Sequence, residues 1–271
     1  MSDTRSAKAD RFRALHAGPA FVIANAWDAG SARILAGLGF PALATSSGAA
    51  AGVLGRRDGA VTRGEALAQA AGIVAATDLP VSADLENGFG DSPDIVAETI
   101  RRAAAVGLAG GSIEDATGDG GAPLYPLAEA TARVAAAVAA ARTSGFVVTA
   151  RAENHIRGNP DLADTIRRLQ AYEAAGADVL MAPGLPDLEA VRLVCASLSR
   201  PVNFMAGIKG RSFSVAELAA VGVKRISLAT SLYRAAMGGL IAAAGEVART
   251  GRLDFIDEVM TTAELNAHFP V

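Results

Sequence analysis

VSADLENGFGDSPDIVAETIRRAAAVGLAGGSIE, residues 81–114, is the stretch from which the architecture can be read. It contains a short apolar run ending in an acid (Val81–Asp84), a polar loop, and a helical segment opened by Ser92-Pro93 and closed by Gly107. A second short run (Gly111–Glu114) follows, again ending in an acid. Serine before a helix accepts from the unpaired first-turn N–H groups, proline lacks the N–H that has no acceptor there, and glycine ends a helix in the left-handed conformation. The runs barely alternate polar with apolar, as expected of parallel strands covered on both faces. This is one βα unit and the beginning of the next.

Working outward, the same unit recurs. The strand candidates are Phe21–Ala24, Ala42–Thr45, Val81–Asp84, Gly111–Glu114, Phe146–Ala150, Asp178–Ala182, Val202–Met205 and Arg225–Leu228, at the spacing of strands joined by crossover helices. The segments between them carry Ala, Leu, Arg and Glu at helical period. Eight such units without a compositional break predict a (β/α)8 TIM barrel in the α/β class, with an open doubly wound sheet as the alternative. We expect one domain over 1–271, with the barrel at 20–233 and a helical C-terminal segment at 234–271. In that segment Phe255, Ile256, Val259, Met260 and Leu265 need a cover, on this barrel or on a neighbouring subunit.

Composition narrows the function. A net charge of −3, from 25 basic and 28 acidic residues, argues against a nucleic-acid binder. The single cysteine, Cys195, excludes an internal disulfide framework and multi-cysteine metal sites. The polar N-terminus has no secretory h-region, and no apolar run approaches the ~20 residues that span a bilayer. The expectation is a cytoplasmic protein without a membrane or nucleic-acid partner.

In such a barrel the chemistry belongs at the C-terminal ends of the strands, and the polar residues gather there. The strands run into Asn25-Ala-Trp27-Asp28, Thr45-Ser46-Ser47-Gly48, Asp84-Leu-Glu86-Asn-Gly, Glu114-Asp115, Arg151-Ala-Glu153-Asn-His155 and Asn203. Asp84, Glu86 and Glu114 from adjacent strands would raise one another's pKa unless a cation neutralised them. With no Cys or His cluster beside them, Mg2+ fits best and Mn2+ is possible. Ser46, Ser47 and Gly48 offer hydroxyls and free N–H groups to a carboxylate or phosphate, and Arg151 is a bidentate partner for the same anion. Trp27 is a candidate cavity wall, Asn203 a hydrogen-bonding partner of the substrate, and His155 a residue of the mouth. The plainer alternative is that these acids cap helices or pair with arginines, including Arg151. His16, in the terminal segment, and Arg167-Arg168 read as solvated surface groups.

Together Asn25-Ala-Trp-Asp, Thr45-Ser-Ser-Gly, Gly55-Arg-Arg-Asp58, Ser82-Ala-Asp-Leu-Glu-Asn-Gly-Phe-Gly90, Ser112-Ile-Glu-Asp115 and Ala150-Arg-Ala-Glu153 resemble the phosphoenolpyruvate mutase/isocitrate lyase superfamily, from about Phe21 to about Tyr233. The resemblance implies a barrel whose eighth helix is exchanged between subunits of a homotetramer. It implies Mg2+ ligated by Asp84, with Asp58, Glu86 and Glu114 holding its waters, and a substrate anion bound by Ser47, Gly48 and Arg151. It implies chemistry next to a 2-oxo acid, through a pyruvate enolate or by phosphoryl movement.

The sequence departs from this pattern after strand 4. Lyases of isocitrate type carry a Lys-Lys-Cys-Gly-His loop there, whereas residues 115–125 read DATGDGGAPLY, without Cys, Lys or His. The mutase loop with its Lys and Asn is also missing, and the glycines suit a mobile lid. Decarboxylation of an oxaloacetate-like 2-oxo acid asks least of such a loop, with solvent or Tyr125 protonating the enolate. Arg151, Glu114 and Tyr125 are therefore the candidate catalytic side chains of a carbon–carbon lyase. The alternatives are a phosphonomutase or related phosphoenolpyruvate-type enzyme, a non-catalytic metabolite-binding protein, and a Schiff-base aldolase. The last is disfavoured because none of Lys8, Lys209 and Lys224 sits on a strand end.

Overall fold

A computed structural model describes residues 2–269. Among the described residues eight strands close into a parallel barrel in sequence order: β1 (Phe21–Asn25), β2 (Leu43–Ala44), β3 (Val81–Asp84), β4 (Gly110–Glu114), β5 (Val147–Arg151), β6 (Val179–Met181), β7 (Val202–Met205) and β8 (Arg225–Ser227). The open sheet is excluded by the pairing of β1 with β8, Phe21 opposite Arg225. The helices are α1 (Ser2–Ala17), α2 (Ala29–Gly37), α3 (Ser47–Val53), α4 (Arg63–Ala75), α5 (Pro93–Ala105), α6 (Leu127–Ala141), α7 (Leu162–Ala174), α8 (Leu188–Ala196), α9 (Val215–Ala220), α10 (Ser231–Thr250) and α11 (Thr262–Ala267). Local chemistry sets their starts: Thr62, Ser92, Asp161, Asp187 and Ser214 each accept from an N–H of the first turn. No described helix is long and apolar enough to cross a membrane.

The N-terminal segment is not the solvated tail its composition suggests. It forms α1, and Ala9, Phe12 and His16 are buried on one face at helical spacing. Phe12 packs with Phe21, Ala42, Ala109, Val147 and Val179, residues at or before strand starts, so α1 plugs the barrel floor. Burial of such a ring stabilises the fold by about 1.5–3 kcal/mol. Gly110 permits the approach, because a Cβ there would lie 2.9 Å from the Phe12 ring and 2.7 Å from the Val147 carbonyl oxygen.

His16 is 6% exposed, not a surface group. Its Nδ1 donates to the Phe12 carbonyl at 2.9 Å, leaving Nε2 to accept from Arg225 Nη1 at 3.3 Å. Burial first, then the facing Arg225, push its pKa down to about 3 from 6.5. Between those values the unfolded chain binds a proton that the folded one refuses, so stability falls as pH drops. In urea unfolding at pH 7 and pH 5, the stability gap between wild type and His16→Leu should narrow by about 2 kcal/mol at the lower pH. An unchanged gap would mean His16 is not held neutral.

Arg168 also departs from its expected place on a solvated face. It is 8% exposed, bonded through Nε to Asp164 at 2.8 Å and through Nη1 to Asp115 at 3.2 Å. Together with Tyr172, whose hydroxyl donates to Asp115 at 2.6 Å, it fastens α7 to the end of β4. Cys195 is half-buried against Gly222, and burial raises its thiol to about 11, as befits a packing residue.

Candidate functional site

A cavity of about 840 Å3 opens at the C-terminal ends of the strands. Of the residues expected to form a site, Ser46, Ser47, Asp58, Asp84, Glu86, Glu114, Arg151 and Asn203 all line it. Asp84, at the end of β3, is its hub. Its Oδ1 accepts from Arg151 Nη1 at 3.0 Å and its Oδ2 from the Ser47 N–H at 3.2 Å, while its own N–H donates to Thr45 Oγ1 at 3.0 Å. Thus β2, β3 and β5 meet on one carboxylate.

Arg151, 8% exposed, is held by three acids: Nη1 by Asp84, Nη2 by Glu114 at 3.1 Å and Nε by Glu153 at 2.9 Å. The plainer expectation, that Arg151 organises the mouth by ion pairing, therefore describes this geometry. Yet the three bonds use one N–H each, and two N–H groups of the fork remain. Those three acids hold its pKa well above the ordinary arginine value despite burial. Arg157, which sequence reading passed over, adds a second guanidinium, 3.1 Å from Glu114.

The acids outnumber the cations. Five carboxylates, of Asp58, Asp84, Glu86, Glu114 and Glu153, line the cavity against three guanidiniums, of Arg151, Arg157 and Arg225. Glu86 registers the imbalance: burial, then the facing Asp84 and Asp58, push it up to about 7. Burial likewise pushes Glu114 up, against the pull of Arg151. A divalent cation would cancel the surplus, and the donor set is all oxygen, as Mg2+ prefers. Among the described residues no three His, Cys, Asp or Glu groups converge tightly enough to grip an ion by themselves.

The backbone carrying Glu86 is strained. Glu86 and Phe89 have φ of 48° and 61°, left-handed values unusual for side-chain-bearing residues. Arg133 of α6, 1% exposed, holds this turn by donating to the carbonyls of Asn87 and Asp91. Thr99 Oγ1 adds a bond to the Gly88 carbonyl at 2.8 Å. Gly48 is needed for proximity: a Cβ there would lie 2.8 Å from Thr230 Cγ2 and 3.3 Å from Asp58 Oδ2.

Four expected site residues are absent from the cavity lining: Gly48, which packs against Asp58 and Thr230, and Tyr125, Trp27 and His155. Tyr125 does not line the cavity; its hydroxyl donates to Asp91 Oδ1 at 2.7 Å and its ring lies under the Arg133 guanidinium at 4.1 Å. Burial and the Asp91 bond raise it to about 12, and its hydroxyl proton is directed at Asp91 instead of the cavity. Trp27 is likewise absent from the lining and packs edge-on against Tyr233, with ring centroids 5.5 Å apart. His155 is absent too; its Nε2 is buried without a partner. Residues 115–125 form a small hairpin, with Ala116 bridged to Leu124, that turns Ala116, Thr117 and Gly118 toward the cavity.

Comparison with known proteins agrees with this geometry. A family model described as phosphoenolpyruvate phosphomutase matches residues 12–248. The chain is 32% identical over 234 residues to an oxaloacetate decarboxylase of Chromohalobacter salexigens, covering 83% of this chain and 80% of the relative. Among solved structures, a candidate lyase/mutase of Burkholderia cenocepacia J2315 superposes with a TM-score of 0.96 at 49% identity, covering 99% of this chain and 98% of that one. A 2,3-dimethylmalate lyase of the PEP mutase/isocitrate lyase superfamily superposes with a TM-score of 0.87 at 28% identity, covering 96% and 94%.

Proposed function

Because the chain belongs to the phosphoenolpyruvate phosphomutase family, within the PEP mutase/isocitrate lyase superfamily, we propose that it is a Mg2+-dependent carbon–carbon lyase of decarboxylase type acting on a small, oxaloacetate-like 2-oxo acid. The observation that carries this reading is the surplus of carboxylates around Asp84 in a cavity that also holds Ser46, Ser47 and Arg151. Asp84 would hold the ion directly, with Asp58, Glu86 and Glu114 holding its waters. A divalent ion held there would supply a Lewis acid for the electron pair released to the 2-oxo group when the carbon–carbon bond breaks.

The chain's own residues do the rest. The two spare N–H groups of Arg151, with Ser46, Ser47 and Gly48, bind the substrate carboxylate and the enolate oxygen that gains charge. Asn203, whose Nδ2 donates to Ser227 Oγ and Met181 Sδ, leaves the Ser227 hydroxyl as a further donor. The 115–125 hairpin limits access of water, and with Tyr125 committed to Asp91, solvent returns the proton to the enolate carbon.

A second reading, phosphono or phosphoryl transfer, draws on the family description, but residues 115–125 bring no Lys or Asn to a transferring group. We also propose that the chain works as a homotetramer with exchanged C-terminal helices. None of the twenty residues of α10 is buried, and Leu240, Ile241, Val259 and Met260 are more than half exposed.

The test is a screen of short 2-oxo acids, phosphoenolpyruvate and phosphonopyruvate with Mg2+ or Mn2+, following pyruvate and CO2 release. At least one 2-oxo acid should turn over, and excess EDTA should abolish the rate. Turnover that survives EDTA removes the metal, and turnover of the phosphorus compounds alone selects the second reading.

A further inference from the structure

Arg225 is a buried cation at the floor of the cavity and, among the described residues, has no carboxylate partner. It is 4% exposed, and its three bonds go to neutral acceptors on three elements. Nε donates to Asn203 Oδ1 at 2.8 Å, Nη2 to Thr149 Oγ1 at 2.9 Å and Nη1 to His16 Nε2 at 3.3 Å. Burial with no counter-charge holds its pKa down to about 9. Stability gives little reason for such a group, since apolar replacements of buried charges are often neutral or better.

What Arg225 does visibly is orient an amide. Asn203 is 1% exposed and has two chemically different ends. A guanidinium N–H facing Oδ1 forbids the flipped arrangement, which would set two donors against each other. Nδ2 therefore spends its two N–H groups on Ser227 Oγ at 3.0 Å and Met181 Sδ at 3.2 Å. That hydroxyl, already accepting, keeps its own proton to donate, and both Asn203 and Ser227 line the cavity. His16 completes the chain of constraints: Nδ1 gives its proton to Phe12, so Nε2 can only accept.

We infer that Arg225 is a positioning residue, steadied by His16 of the N-terminal helix, that acts through Asn203 to fix the Ser227 hydroxyl as a donor to an anionic oxygen in the cavity. The anion's identity as a 2-oxo acid rests on the function proposed above; the orientation of Asn203 does not.

Two measurements test this in the full-length protein. One is the side-chain amide resonance of Asn203, assigned with Asn203→Asp. The other is calorimetric binding of oxalate, a planar mimic of pyruvate enolate, in saturating Mg2+. Arg225→Lys keeps the charge but loses the fork; it should move the Asn203 resonance and weaken oxalate binding about tenfold. His16→Leu should act in the same direction but less, and His16→Gln, which restores an acceptor, should recover both signals. If Arg225→Lys does not fold, the two His16 variants carry the test.

An Asn203 resonance unmoved in Arg225→Lys overturns the inference. So does a moved resonance with oxalate affinity unchanged, which would make the role purely structural. Should the wild type bind no oxalate in Mg2+, the 2-oxo acid reading fails instead. The resonance and its rescue by His16→Gln then decide the positioning role by themselves.

Discussion

Asp84→Ala should lower turnover of the 2-oxo acid substrate by about 10³-fold, ~4 kcal/mol of transition-state stabilisation. The side chain joins Ser47, Ser112 and Arg151, and on the proposed function its loss would remove the one direct carboxylate from the divalent ion. The fold should survive. Arg151 keeps Glu114 and Glu153, and the Asp84 backbone N–H still reaches Thr45. Steady-state rates across a Mg2+ titration, beside a thermal melt, separate the two effects. Asp84→Asn keeps the shape and the bonds of one oxygen, sets its NH2 against the Ser47 N–H, and should be nearly as slow. A folded Asp84→Ala protein with the full rate would remove the metal assignment and the mechanism with it.

Arg151→Met should destabilise the fold by about 3–5 kcal/mol, because it leaves buried carboxylates facing one another without their common cation. Glu153 is wholly buried, and one of its oxygens already lacks a hydrogen-bond partner. For a chain of this size that loss lowers the melting temperature by about 10 °C. Activity should vanish as well, since the spare N–H groups go with the guanidinium. Arg151→Lys restores the charge but not the fork, so it should regain part of the stability and little of the rate. A melting temperature unchanged in Arg151→Met would show that the three acids are not held by this residue.

The barrel was legible because parallel strands buried on both faces read as short apolar runs, and because capping residues mark the helices between them. The position of the acids was legible for the same reason: a carboxylate at the end of an apolar run has only the cavity to face. The misses have specific physical causes. Helix α1 reads as polar because most of its surface is polar, although Ala9, Phe12 and His16 at i, i+3 and i+7 form the buried stripe that would have betrayed it. Arg225 opens a strand and looks like a flanking surface residue; only closure of β8 against β1 turns it inward. Tyr125 stands at the end of the right loop, but its use by Asp91 depends on a contact 34 residues away in sequence. Arg157 and Arg168 show the same limit, since one-dimensional spacing does not tell a solvated arginine from one tied to an acid on another strand.

The plug at the barrel floor also has a consequence for biosynthesis. His16 and Arg225 are separated by 209 positions. At ribosomal speeds of 5–20 residues per second, the first helix leaves the exit tunnel roughly 10–40 s before its counterpart has been translated. Throughout that interval Phe12 has no closed barrel to enter. A nascent chain stalled before β8 thus presents an unburied aromatic face to chaperones, and the floor is sealed only once β8 has emerged.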